Sequence, residues 1–340
     1  GPYQLRFVLD EPDMTFLQAL ALPFAAPLPK EAVEAPGVDF GRNPVGTGPF
    51  KLERWQSGEL VRFVRHDGYF EAGQPYLDAI NFVPGYSVEV AFLKFEQGEI
   101  DHVERLTSPD YLYAKSTPEL AKCLVAFPAF DVFGEFMNTE MPPFDNKPGR
   151  KAVSHAINRE TLVKLRNGRI HPLAGPLPPG LPGYDPDIVG YPYDPDKARA
   201  LLKEAGFTQT EPIPYWTLQT EAAVQLGQAV QQDLKAVGMN IEMKIVDFPT
   251  YLTGTGRRHT AAFGYSAWIM DFPDPANFLI PLYHSGSAED GNATNAAFYK
   301  NPAVDRLLDA AQIETDIPKR RALYKEAMPI IIDAAPHAYE

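Results

Sequence analysis

The sequence predicts an α/β protein built as two domains, and three observations carry that prediction. Residues 194–246 run helix, Gly, helix, Gly, strand, the succession made by crossover connections in a partly parallel sheet. Residues 1–134 have another texture, with short strand-like runs and Gly turns interrupted by one helix. The chain has 340 residues, 45% of them hydrophobic and 22% charged, enough to fill two cores.

Taken in order, "QLRFVLD" (4–10), "GPFKLERW" (48–55) and "LVRFVRHDGYF" (60–70) read as strands. "SVEVAFLKFEQG" (87–98) reads as a helix with Ser87 capping its start and Gly98 ending it. "EIDHVE" (99–104) then reads as a returning strand. Around "GEFMN" (134–138) the texture changes to α/β, which sets the expected boundary. "DPDKARALLKEAGF" (194–207) is a helix by every local rule. Asp194 is the N-cap, Pro195 is at N1, Ala198, Leu201, Leu202 and Ala205 form the stripe, and Gly206 is the stop. "EAAVQLGQAVQQDLKAVG" (221–238) repeats the pattern with Ala223, Leu226, Val230, Leu234 and Val237. In "NIEMKIVDF" Ile241, Met243 and Ile245 alternate as in a half-buried strand. Helices near 302–312 and 318–333 close the chain.

Composition excludes several partners. A net charge of −13 offers no basic stripe to displace counterions from a nucleic acid, nor to bind an anionic membrane surface. The single Cys123 allows neither an internal disulfide nor a Cys-type metal site. No run of 18 apolar residues exists to cross a membrane as a helix, and no signal peptide is visible; the "GPYQLRFVLD" opening reads like the interior of a domain. The 34 prolines cluster at 141–149 and 175–187, as ordered extended connections do.

Catalytic patterns are missing. "GYSVE" (85–89) and "GYSAW" (264–268) lack the second Gly of a nucleophile elbow. The seven histidines are scattered, with no metal-type spacing, so neither a metal nor a cofactor is expected. "GTGPF" (46–50) and "GTGRR" (254–258) do not continue into a nucleotide-binding motif. The acid pairs Asp185/Asp187 and Asp194/Asp196 flank prolines at turns and helix starts, where capping explains them better than acid–base chemistry.

One stretch stands apart. "SAWIMDFPDP" (266–275) is mostly apolar, yet holds Asp271 three residues after Trp268. Two roles fit: a turn cap beside a core Trp, or a carboxylate awaiting a cation beside an aromatic wall.

Six segments in register resemble the extracytoplasmic solute-binding proteins of family 5, which serve dipeptide, oligopeptide and nickel ABC importers. They are "NPVGTGPFKLERW" (43–55), "FLKFEQGEID" (92–101), "FMNTEMPPFDNKPGRKAVSHAINRETLV" (136–163), "YDPDKARALLKEAGF" (193–207), "FYKNPAVDRLLDAA" (298–311) and "KRRALYKEAMPIIIDAAP" (319–336). The resemblance implies a two-lobed fold of the class II periplasmic-binding-protein type with mixed sheets and an incomplete first lobe, the chain being shorter than family members at both ends. Residues 1–30 would end a small extra domain, 31–134 belong to the first lobe and 135–340 to the second, with the inter-lobe crossing near 134–138.

The resemblance also implies a function. The chain would be a non-enzymatic, monomeric receptor, periplasmic or extracellular, lipid-anchored in its full precursor. It would capture peptides by hinge closure and deliver them to ABC importer permease subunits. A ligand-sensing domain of a signalling protein is the alternative, with nickel or haem as further ligands. "AWIMD" matches the family's G-W-x-x-D, so Asp271 would pair with the ligand's α-ammonium, with Trp268, Met270 and Phe272 around it. Met137 and Asn138 would sit in the hinge or cleft wall. One departure bears on specificity: dipeptide binders place an Arg at the start of the helix matching 221–237, where this chain has Val224 and Gln225. Longer peptides held through their backbone are therefore expected over strict dipeptides.

Overall fold

The computed structural model describes residues 4–35, 37 and 39–340, so the Gly1–Pro2 opening lies outside the described residues. The chain divides into two compact units, one holding the residues up to Leu22 together with Pro128–Glu340, the other Pro23–Phe127. The division therefore falls between Phe127 and Pro128, ahead of the 134–138 crossing read from sequence. It falls there because residues 131–137 form a strand hydrogen-bonded on both edges inside the larger unit.

In chain order the elements are α1 (Phe16–Leu20), α2 (Lys30–Val33), β1 (Phe50–Gln56), β2 (Leu60–Arg65), β3 (Ala79–Phe82), α3 (Val88–Glu96), α4 (Ser108–Ser116), α5 (Pro118–Ala121) and β4 (Asp131–Met137). There follow α6 (Lys147–Ala156), α7 (Arg159–Leu165), α8 (Pro195–Glu204), β5 (Ile213–Leu218), α9 (Glu221–Ala236), β6 (Ile241–Val246), α10 (Phe248–Thr255), β7 (Phe263–Ile269), α11 (Ala276–Tyr283), α12 (Pro302–Ile313), α13 (Ile317–Ala334) and β8 (His337–Tyr339).

The smaller unit is an antiparallel sheet of order β1-β2-β3 with short helices. No residue of its strands is fully buried. Among its described residues Phe92 and Ala114 are buried, together with Pro75, and Phe92 meets Tyr113 edge-on. Ser87 caps α3 through the Val90 amide, and Gly98 takes the left-handed conformation that ends it, both as the sequence requires. Two expected strands do not form. Residues 4–9 are irregular, with Leu5 82% exposed, and 99–104 are bend and coil. A strand needs an edge to pair with, and neither segment finds one among the described residues.

The larger unit is a mixed sheet of order β6-β5-β7-β4-β8. β5 runs parallel to β6 and β7, while β4 runs antiparallel to β7 and β8. Both faces are covered, as such a sheet demands. Phe136, Trp216, Leu279, Tyr283 and Ile331 belong to one core. Met137, Tyr215, Val230, Leu234 and Phe263 belong to the other. α8 starts on the Asp194 carboxylate, which accepts from the Lys197 amide at 2.9 Å, and Gly206 follows it with φ +64°. Asp194→Ala is expected to cost about 1 kcal/mol, read as a lower urea midpoint with unchanged slope. The stripe of α9 is buried as expected, but Ile245, on the edge strand β6, is exposed.

Candidate functional site

In an open α/β sheet ligands collect outside the carboxyl ends of the parallel strands, where successive connections leave in opposite directions. Here β5, β6 and β7 share one carboxyl edge. The connection after β5 leads through α9 to β6 on one flank. The connection after β7 leads through α11–α13 to β8 on the other flank, beyond β4. The switch point is therefore the β5/β7 junction. β7 last pairs with β5 at Gly264 but continues to Ile269, held there by β4 as far as Asp131. Its continuation, residues 270–275, is the stretch that carries Asp271.

Three contacts fix that loop. The Met270 amide donates to the Phe130 carbonyl at 3.2 Å. The Asp271 amide donates to Asn277 Oδ1 at 2.9 Å, and Asn277 Nδ2 donates back to Asp271 Oδ2 at 3.2 Å. Asp274 turns inward instead, where Arg320 grips it with two bonds of 2.6 and 2.8 Å and the Ala276 amide adds a third. The two acids of one loop thus have opposite fates. Asp274 is a buried structural anchor; Asp271 is exposed, steadied through Oδ2 by Asn277. Such a carboxylate is ready for a cation, because its orientation is set before the cation arrives.

The surroundings of Asp271 are apolar. Ile269 is 60% exposed just before it. Trp268, Met270 and Phe272 are half-buried, the first two packed on the core that holds Val132 and Phe136. At the carboxyl end of β5, Thr220 caps α9, whose first turn carries Glu221. Gln225 Nε2 donates to Glu221 Oε1 at 2.7 Å, so this helix start presents an acid and no cation.

Met137 and Asn138, expected in the hinge or cleft wall, lie at the opposite end of the β4/β7 ladder from Asp271. Met137 pairs with Phe263 at the start of β7, whereas Asp131 pairs with Ile269 at its end. The two ends of that ladder are six residues apart, roughly 20 Å. Both residues are completely buried. Asn138 spends its side chain on the Ala261 carbonyl and the Glu140 amide, so it clips a turn. A sequence can place a residue at a strand end, but which edge of the sheet that end joins depends on strand direction. Asn277 and Arg320, which hold the loop, carried no local signal; Arg320 lies 46 residues from its partner.

Comparison with known proteins gives a consistent match. The family model for bacterial extracellular solute-binding proteins, family 5, matches residues 1–290. The glutathione-binding protein GsiB of Salmonella choleraesuis is 31% identical over 98% of this chain. The dipeptide-binding protein of Escherichia coli is 30% identical over 98% of it. The chain spans 66% and 63% of the lengths of these two relatives. Among solved structures, the periplasmic binding protein DppA of Helicobacter pylori in complex with the peptide STSA superposes with a TM-score of 0.87 at 27% identity, covering 98% of this chain and 65% of that one. A dipeptide-binding protein from a Pseudoalteromonas species in complex with Met-Leu gives 0.84 at 25% identity, covering 96% and 66%.

Proposed function

We propose that this chain, which belongs to the bacterial extracellular solute-binding proteins of family 5 and has their periplasmic-binding-protein fold, captures peptides by their free amino end. It acts as a monomeric receptor that encloses the peptide by lobe closure and hands it, unmodified, to the permease subunits of an ABC importer. The observation that carries the reading is the exposed Asp271 at the β5/β7 switch point, oriented by Asn277 on a loop anchored by Asp274 and Arg320. Relatives named for binding glutathione and dipeptides, and a structural neighbour solved with a tetrapeptide, support the ligand class.

The physics favours an ammonium. A charge-assisted bond to a carboxylate is roughly twice as strong as a neutral one. Once water is excluded, an unpaired Asp271 would be costly, so ligands without a cationic end are rejected. Trp268 and Met270 supply an apolar wall beside it. Ligand length follows from the α9 start, where Glu221 stands in place of any cation. With no anchor for a carboxylate there, peptides longer than two residues are accommodated, their backbones held as an added strand.

Isothermal titration with a free-amine tetrapeptide, its N-acetylated form and the matching dipeptide tests this. Asp271→Ala should weaken the free-amine peptide by about 1.5–3 kcal/mol, roughly 10- to 150-fold in Kd. Equal binding of the acetylated peptide removes Asp271 from the site. A lack of binding by every peptide overturns the ligand class itself.

A further inference from the structure

β4 and β8 bring two acids together inside the larger unit. Glu135 lies mid-β4, paired with Tyr265 of β7 on one side and Ala338 of β8 on the other. Glu340 follows β8, its amide donating to the Phe133 carbonyl at 3.0 Å. Glu135 is 0% and Glu340 4% exposed. None of their four carboxyl oxygens has a well-formed hydrogen bond to a donor elsewhere among the described residues, although the Tyr215 phenol lies near enough to Glu135 to favour its charged form.

The groups around this pair come from four elements. Arg159, at the start of α7, is committed to backbone carbonyls. Its Nε donates to Tyr339 at 2.6 Å, and one terminal nitrogen donates to Ser154, Ile157 and Tyr191 at 3.0–3.3 Å. It contributes its charge without bonding either carboxylate. Arg166, at the end of α7, is half-buried. β5 contributes the Tyr215 phenol and β7 the Tyr265 phenol, and Tyr251 of α10 stands behind Tyr265. Two ionised carboxylates this close, in a place this dry, repel each other and lose their hydration. A carboxylic acid donating to a carboxylate satisfies both, and the one remaining negative charge is balanced by Arg159.

We propose that Glu135 and Glu340 hold one proton between them at neutral pH, and that its loss loosens β8 from β4, making the seating of this strand pH-sensitive. Burial is the first cause pushing the Glu135 carboxyl well above its usual range; the neighbouring Glu340 is the second, and Arg159 and the Tyr215 phenol oppose both. The sign follows from proton counting. The folded pair keeps a proton that an unfolded Glu releases near pH 4.3, so the fold binds more protons than the unfolded chain. The stabilisation is present at low pH and drains away as pH rises toward the folded pKa. Buried His337, pushed down to about 3 by burial, acts with the opposite sign below its ordinary range. It is unchanged in variants at 135 or 340 and cancels in their comparison.

The test is urea unfolding of the chain from about pH 5 to 9, wild type beside Glu135→Gln and Glu340→Gln, with hydrogen exchange at the Glu340 amide. The wild-type unfolding constant should rise by up to tenfold per pH unit relative to either variant, one proton's worth, and the Glu340 amide should exchange faster in step. Infrared spectra of the wild type should show a protonated carboxyl at neutral pH, which decides the matter should neither variant fold. Parallel pH profiles in all three proteins, or no protonated carboxyl at neutral pH, overturn the proposal.

Discussion

Arg320→Met should cost about 3–5 kcal/mol of stability, the penalty for removing one partner of a buried ion pair. Arg320 and Asp274 are only 6% and 5% exposed. The guanidinium makes two bonds to the carboxylate and one each to the Ala311 carbonyl, at 2.7 Å, and the Tyr324 hydroxyl, at 2.7 Å. Met fills much of the volume but donates nothing, so Asp274 is left buried with the Ala276 amide as its remaining partner. The damage also reaches the candidate site, because Asp274 lies three residues after Asp271 on the same loop. Amide exchange should accelerate over 270–277, and peptide affinity should fall even where the variant is fully folded. Adding Asp274→Leu to Arg320→Met should recover part of the loss, since an apolar pair needs no compensation. A cost below about 1 kcal/mol for the single change, the range of exposed ion pairs, would show that the pair does not anchor the loop.

How far the sequence could be read depended on the range of the forces involved. α8 was legible because all that decides it lies within fourteen residues: the Asp194 cap, Pro195, an apolar stripe and Gly206. α9 was legible for the same reason. The segments at 4–10 and 99–104 have strand-like composition, but strandedness is completed by a neighbour, and composition does not say whether one exists. Asp271 was conspicuous because its own neighbours are apolar. Its supports were not, since Asn277 looks like any helix residue and the Arg320–Asp274 pair joins distant elements. Glu135 and Glu340 were equally silent, as a buried acid pair leaves no periodicity behind. Met137 and Asn138 were legible as a strand end, but their separation from Asp271 was not, because the antiparallel run of β4 against β7 is a property of the whole sheet.

Gly134→Ala tests the sheet where its backbone comes closest to a neighbour. A methyl at Gly134 would stand 2.1 Å from the Ala338 carbonyl oxygen, an outright overlap, and would crowd its carbon and the Tyr339 Cα at 3.0 and 3.1 Å. All three are backbone atoms of β8, so no side-chain rotation relieves the clash. β8 must withdraw from β4. The bonds from the Met137 amide to the Pro336 carbonyl, at 2.9 Å, and from the Glu340 amide to the Phe133 carbonyl, at 3.0 Å, then stretch or break. Tyr339 leaves the core, and Arg159 loses the carbonyl that its Nε engages. Overpacking alone costs about 1–3 kcal/mol. With the displaced strand, the total should reach about 3–5 kcal/mol, a size reserved for a short set of core and backbone mechanisms. Gly46→Ala is the control, since a methyl there meets nothing within 4 Å, and should stay within about 0.5 kcal/mol of wild type. Hydrogen exchange separates the outcomes: protection at the Met137 and Glu340 amides should collapse in Gly134→Ala while that of α8 persists. Intact protection at both amides would mean that β8 does not lie against Gly134.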